Sequence, residues 1–329
     1  MKKILVIGCG SIGQRHIRAL VANGIQNIAA LRTGKGQIKE LADDIKEHVS
    51  VFFSEEEAFA WDPEYLLISN PTNLHIKYLA VAIEKGLKVF VEKPVIDHYG
   101  DLDSVSLIKK DITSYPGLVG YNLRFNGVFT HIKEILRVGE YGEVITGNLM
   151  VGHYLPFYPY EDYRESYAAQ KKMGGGVLRT LSHELDLALF FWGGVKKVFA
   201  KVDQLSDLEM DADDTVDIVL EMDDCRRVLI HLDFLNPVSL RKGSILFKKG
   251  LLEYDYFKGE IHFTDYEQKT KELIYSTDEA YDAQYKMQMK HFLEDSHDIG
   301  CTLFQGIEVM EIIDACEKSS KDGREICFD

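Results

Sequence analysis

The chain has 329 residues, 46% of them hydrophobic and 28% charged, and carries a net charge of -15 at pH 7. That length suits two ordinary domains with a sizeable core, and the acidic balance argues against a nucleic-acid partner. No apolar run approaches the ~20 residues of a membrane span, and five scattered cysteines without a CxxC pair read as reduced thiols of a cytoplasmic protein.

Met1-Lys2-Lys3 followed by Ile4-Leu5-Val6-Ile7-Gly8-Cys9 has the outline of a lipoprotein signal, but its apolar core is far below the roughly 7–15 residues of a secretory h-region. Ile4 to Ile7 reads instead as a strand. It runs into Gly8-Cys9-Gly10-Ser11-Ile12-Gly13, a complete G-x-G-x-x-G, and then into a helical pattern with Ile12, His16, Ile17, Leu20 and Val21 on one side. This strand–turn–helix context is what a dinucleotide fingerprint requires. Gly8 permits the tight turn, Gly10 lets the backbone approach a pyrophosphate, and Gly13 lets helix and strand pack closely. The amides at Ser11 and Ile12 open the helix N-terminus, which faces the anion.

Asn27 to Leu31 is the next strand. An NAD-preferring site would place Asp or Glu about 20 residues after the glycines. Here Arg32, Thr33 and Lys35 take that place, and Arg32 suits a 2′-phosphate. The pattern favours NADP(H), with NAD(H) as the alternative.

The alternation continues with strands at Val49 to Phe53 and Tyr65 to Ser69, a helix starting at Ser54, and a second one capped by Thr72 and running through Lys85. Lys88 to Val91 is a buried strand that stops at Glu92-Lys93-Pro94, because proline cannot continue a central strand. Lys93 is therefore held extended at the carboxyl end of a strand, where open α/β sheets bind ligands. A helix around Leu102 to Lys110 and a strand at Leu118 to Tyr121 follow. The expected cofactor contacts come from the strand ends: Asn70, Pro71, His75, Glu92, Lys93 and Asn122.

Beyond Tyr121 the pattern changes. After one helix, Gly127 to Arg137, the chain is mostly strands of period two, and helices at Glu279 to Asp295 and Leu303 to Ser319 close it. The fold class is an α/β Rossmann N-terminal domain, residues 1–122, plus an α+β domain, residues 123–329, with a mostly antiparallel, open-faced sheet. Two stretches of this second domain carry possible chemistry. The loop from His153 to Tyr167 holds six tyrosine and phenylalanine side chains with Arg164, a composition suited to a sugar, including one bearing a carboxylate. Gly174-Gly175-Gly176 opens a helix with Val177, Leu178, Leu181, Leu185 and Ala188 as its apolar face. His183 lies on its flank between Thr180 and Asp186. His183-Glu184-Leu185-Asp186-Leu187 is not HExxH, so no metal site is expected.

Together these motifs resemble the glucose–fructose oxidoreductase / inositol dehydrogenase / rhizopine-catabolism (Gfo/Idh/MocA) family. The resemblance rests on GxGxxG, Asn70-Pro71, Glu92-Lys93-Pro94, Tyr121-Asn122-Leu123-Arg124-Phe125 and the GGG-x-L…H…D stretch. It implies pyridine-nucleotide oxidation or reduction of sugars and cyclitols, and assembly as a homodimer or homotetramer. It places the catalytic lysine at Lys93 and the catalytic histidine at His183, with Arg124, Tyr154, Tyr163, Arg164, Thr180 and His183 at the substrate. Many members carry Asp where this chain has Arg179, and a similar subgroup carries it where this chain has Thr180. Asp186 or Glu184 then stands in for that carboxylate. A redox-neutral, cofactor-assisted lyase or hydrolase and a non-catalytic NADP(H)-binding sensor are the two rival readings.

Overall fold

The computed structural model describes residues 2–32, 40–100, 114–158, 162–224, 226–294 and 298–328. The helix expected around residues 102–110, and Thr33 and Lys35, lie outside the described residues. The chain forms two compact units: residues 1–125 with 280–310, and residues 126–279 with 311–329.

The first unit is built on a seven-stranded sheet. Its parallel strands are β1 (Lys3–Ile7), β2 (Asn27–Leu31), β3 (Val49–Phe52), β4 (Tyr65–Ile68), β5 (Lys88–Val91) and β6 (Gly117–Val119). They are ordered β6-β5-β4-β1-β2-β3, and Cys301–Thr302 pairs antiparallel with the outer edge of β6. This is the doubly wound order, whose direction of winding reverses between β1 and β4. The central strands are near-continuous apolar runs because both faces are covered: Ile4, Leu5, Val6, Leu66, Leu67, Ile68, Val89, Phe90 and Val91 are all fully buried.

Helix α1 (Ser11–Ala22) follows β1, and Gly10 at its N-cap offers no side-chain cap. Helix α2 (Glu55–Ala60) starts as expected: Ser54 Oγ accepts from Glu57 N–H at 3.2 Å, and Glu55, Glu56 and Glu57 sit at the positive end of its dipole. Helix α3 (His75–Lys85) ends at Gly86, which is left-handed at φ 67°. Its start departs from the expectation. Thr72 does not cap α3; it opens a short 3-10 turn, Thr72–Leu74, closed by Leu74 N–H donating to Pro71 O at 2.9 Å. Pro71, with no N–H of its own, sets that extra turn ahead of the helix. The later helix Ala283–Glu294 packs on α1. Its Tyr285, Met289, Phe292 and Leu293 join the core formed by Ile4, Ile17, Leu20, Tyr65 and Phe90.

The second unit carries a nine-stranded sheet. Its strands are β7 (Val144–Tyr154), β8 (Val195–Asp203), β9 (Thr215–Met222), β10 (Arg227–Asp233), β11 (Leu235–Phe247), β12 (Gly250–Asp255), β13 (Glu260–Asp265) and β14 (Lys271–Ser276), with Ile326–Cys327 on the β8 edge. Every pairing is antiparallel except β7 with β10. The period of two is plain on β10, where Val228, Ile230 and Leu232 are buried and Leu229 between them is 46% exposed. Strand β11 begins five residues before the expected Leu240. Its pairing with β7 shifts register between Leu235 and Leu240, and that irregularity accommodates Pro237.

Helix α4 (Gly127–Val138) is capped by Asn126 Oδ1, which accepts from Val128 N–H at 3.0 Å. Its Phe129 stacks on Tyr256 and meets Tyr254 edge-on. The glycine-rich stretch leads into α5 (Val177–Thr180) and α6 (His183–Trp192). Sequence periodicity predicts one continuous helix here. The chain instead turns at Leu181 and Ser182, so Thr180 ends one helix and His183 begins the next.

On the wetter face of this sheet, His231 is bracketed by two carboxylates. Asp217 Oδ1 lies 2.7 Å from Nδ1 and Asp233 Oδ2 lies 3.4 Å from Nε2. Asp233 first and then Asp217 raise the pKa of the imidazole to about 9. A folded-state pKa above the unfolded value of ~6.5 means the bound proton stabilises fully below that pH, and the gain is lost as pH rises through about 9. The melting temperature is therefore expected to fall between pH 6.5 and 9, and to fall less in His231→Gln. Parallel melts of the two proteins that keep the same pH slope would refute this.

Candidate cofactor and substrate sites

In the first unit the expected nucleotide contacts gather at the carboxyl ends of β1, β2, β4, β5 and β6. Gly8 has φ 89°, and a Cβ there would sit 2.8 Å from the Asn70 backbone. A Cβ on Gly13 would sit 2.3 Å from Gly8 O and 2.8 Å from Ser69 Oγ. These two glycines are demanded by the fold itself, the first by backbone conformation and both by close approach. Gly10 differs: nothing lies within 4 Å of where its Cβ would be. The protein gains no packing from a glycine there, and the space at the N-terminus of α1, beside Ser11 and Ile12, is open to a ligand.

Two buried amide atoms support the same conclusion. Asn70 Oδ1 and Asn122 Nδ2 have no hydrogen-bond partner among the described residues. Buried polar atoms of this kind call for a partner beyond the described residues. The open space at Gly10, the uncapped helix terminus and these amides fit a dinucleotide. Arg32 follows β2, with its N–H on Phe52 O at 3.0 Å. Its charge opposes the burial that pushes the neighbouring Cys9 thiol up to about 11.

Lys93 stands between two fixed neighbours. Glu92 N–H continues the sheet ladder onto Ile68 O at 2.8 Å. The Glu92 carboxylate accepts from Lys93 N–H at 3.1 Å through Oε2 and from His16 Nε2 at 2.6 Å through Oε1. His75 is buried, with Nδ1 3.0 Å from Pro94 O and Nε2 2.9 Å from Asn70 O. Burial pulls its pKa below the usual value. Expected as direct cofactor contacts, Glu92 and His75 spend these polar atoms on the protein, and they shape the site through Lys93, Asn70 and Pro94. Arg124 is a clearer correction. It is buried, and its guanidinium donates to Gly300 O at 3.2 Å and Gln305 Oε1 at 2.9 Å, which secures the returning segment of its own unit.

In the second unit two of the three glycines, Gly175 and Gly176, have a local purpose. A Cβ on Gly175 would strike Tyr167 O at 2.2 Å, and one on Gly176, at φ 100°, would strike Asp213 Oδ1 at 2.1 Å. Asp213 caps α5 in turn, accepting from Leu178 N–H at 2.8 Å, and burial pushes its carboxyl pKa up. Sequence reasoning missed Asp213 because it lies 35 positions from Leu178. His183 is the first residue of α6, and Thr180 and Asp186 are buried near it in the chain. Glu184, expected as a possible stand-in carboxylate, is fully buried and committed to Arg241 at 2.6 Å. Arg179 pairs with Glu317 at 2.7 Å. In the aromatic loop, Tyr154 meets Phe157 edge-on. The Arg164 guanidinium, expected at the substrate, is shared by Asp162 and Glu209, while Tyr163 Oη accepts from Glu209 N–H at 3.1 Å.

The chain resembles known proteins in sequence and in fold. Residues 2–111 match the oxidoreductase family with an NAD-binding Rossmann fold, GFO/IDH/MocA, and residues 129–253 match the GFO/IDH/MocA C-terminal domain. The chain belongs to this family. Inositol 2-dehydrogenase 1 of Paenarthrobacter aurescens is 25% identical over 193 residues, 58% of this chain and 54% of that protein. The chain spans about half the length of the curated relatives it matches. Among solved structures, a levoglucosan dehydrogenase in complex with NADH superposes with TM-score 0.85 at 17% identity, covering 100% of this chain and 99% of that one. A myo-inositol dehydrogenase from Corynebacterium glutamicum gives 0.79 at 22% identity, covering 100% and 99%. The family's Rossmann domain and mostly antiparallel second sheet are both present. No helix among the described residues is long and apolar enough to cross a membrane.

Proposed function

We propose that the protein is an NAD(P)-dependent dehydrogenase or reductase acting on a sugar or sugar-derived alcohol or carbonyl, including acidic sugars. The observation that carries this reading is the strand-end cluster of the first unit. An uncapped helix terminus, open space at Gly10 and two unpartnered buried amides adjoin a lysine whose neighbours are fixed. The names of the relatives, an inositol dehydrogenase and a levoglucosan dehydrogenase bound to NADH, support the substrate class.

The nicotinamide cofactor supplies a hydride acceptor or donor. Gly8, Gly10, Gly13 and the first amides of α1 would hold its pyrophosphate, while Asn70 and Asn122 would bond its polar groups. The Lys93 ammonium would donate to the reacting oxygen and stabilise charge developing there. His183 would take the proton in oxidation and return it in reduction. Thr180 and Tyr154 are assigned to the substrate. We place the protein in the cytoplasm as a homodimer or homotetramer.

Arg32 and Thr33 stand where a ribose-binding carboxylate would be, so NADP(H) is expected to bind more tightly than NAD(H). Fluorescence titration with both reduced cofactors decides it: tighter NADH binding rejects the preference, and Arg32→Asp should shift it toward NADH. The function is tested by incubating the protein with NADP+ or NAD+ and a panel of cyclitols, aldoses and uronic acids, and following absorbance at the nicotinamide band. Net reduction of the cofactor supports a dehydrogenase. Product without net cofactor turnover supports the redox-neutral reading, and binding without any turnover supports the sensor.

A further inference from the structure

His16 is an anomaly in its helix. It lies on the apolar side of α1 with no exposed surface, between Phe90 and Tyr285, whose ring centroids are 4.9 and 5.6 Å away. Burying an imidazole among aromatics costs free energy unless a hydrogen bond compensates. The compensating bond is the one from Nε2 to Glu92 Oε1 at 2.6 Å, since Nδ1 has no partner among the described residues. Gly120 makes the room: a Cβ there would meet the Glu92 carboxylate at 2.7 Å. On the other side of Lys93, His75 Nδ1 lies 3.0 Å from the carbonyl of Pro94 and Nε2 lies 2.9 Å from that of Asn70; burial favours the neutral ring, which donates its single N–H to one of the two. Val95 and Ile96 beyond it are fully buried.

Two buried histidines from two different helices thus grip the residue before Lys93 and the residue after it. We infer that His16 and His75 are positioning residues: they clamp Glu92 and Pro94 and so fix the backbone from which the Lys93 side chain extends. His16 lies on the helix that opens at the dinucleotide loop, and the His75 ring lies between the carbonyls of Pro94 and Asn70. The clamp therefore ties the placement of Lys93 to the same elements that hold the cofactor. The inference rests on the reading of Lys93 as the group that serves the reacting oxygen.

Two measurements that need no substrate test it in the whole protein. The first is hydrogen exchange at the Lys93 amide, which donates to Glu92 Oε2. The second is labelling of Lys93 by adenosine diphosphopyridoxal, a dinucleotide-shaped aldehyde. Its imine with the lysine amine forms with loss of water, is reduced by borohydride, and is read by peptide mapping. In His16→Leu and in His75→Leu, loss of one hydrogen bond should speed exchange at residues 93–95 about tenfold and leave β1 and β4 unchanged. Labelling of Lys93 should fall by a similar factor while NADPH affinity holds. His16→Gln, which keeps a donor, should recover part of both. Gly120→Ala is the second route, because it displaces the carboxylate without touching either histidine. Unchanged exchange overturns the clamp. Faster exchange with unchanged labelling overturns its role in positioning, as does labelling that falls only in step with NADPH affinity. If Lys93 is not labelled in the parent protein, the functional reading of Lys93 fails and the inference with it; the exchange rates still report separately whether the histidines grip the segment.

Discussion

Lys93→Met is expected to lower kcat/KM on the sugar or cyclitol selected by the panel by about 10²–10³-fold, the usual cost of removing a donor to a developing oxyanion. The melting temperature and NADPH binding should stay near those of the parent, because Glu92 and the two histidines beside the segment are untouched by the substitution. His183→Ala should cost about 10²–10⁴-fold if it transfers the proton. Steady-state kinetics beside thermal melts decide both. Near-parental kcat/KM in Lys93→Met would remove the lysine from the mechanism, and a His183→Ala protein as active as the parent would remove the histidine.

The largest expected effect on stability lies in the second unit. Arg241 and Glu184 form an ion pair with side chains 9% and 0% exposed, and the Arg241 guanidinium also lies over the Tyr256 ring. Tyr254 is buried close enough for the Glu184 charge to help keep its phenol neutral. Arg241→Leu leaves the carboxylate buried without its cation and should cost about 3–5 kcal/mol. The double variant Arg241→Leu with Glu184→Leu removes both charges and should recover much of that loss, since replacing a buried pair by apolar groups is often close to neutral. Urea unfolding of the single and double variants measures it. A single variant as stable as the parent would show that the pair contributes nothing. Glu184 directly follows His183, so a loosened pair should also disturb the start of α6.

The parallel sheet was legible because its strands are apolar on both faces and its turns carry their own chemistry, as at Gly8-Cys9-Gly10 and Ser54. The second sheet showed in the alternation along β9 and β10. What the sequence hid were relations across long separations. His16 and Glu92 are 76 positions apart, and Glu184 and Arg241 are 57 apart. The one local clue to the first pair was a histidine within an apolar helical stripe. The turn between α5 and α6 contains neither glycine nor proline, so the apolar pattern read through it as one helix. Among the partners of Arg124 and Arg164, Gly300, Gln305 and Glu209 are remote in the chain.

Residues 280–310 return to the first unit. They supply Tyr285 against His16, Phe292 against Tyr65 and Phe90, and the edge strand Cys301–Thr302. On the ribosome, the nucleotide-binding half therefore begins synthesis first and finishes late. Its sheet emerges with one flank of apolar surface bare, and that flank is covered only after the whole intervening stretch has been made. Domains generally fold as they emerge, N-terminal first, yet here residues 1–125 alone would expose the core face of α1 and leave the β6 edge open. A fragment ending there is expected to be less stable than the unit completed by residues 280–310.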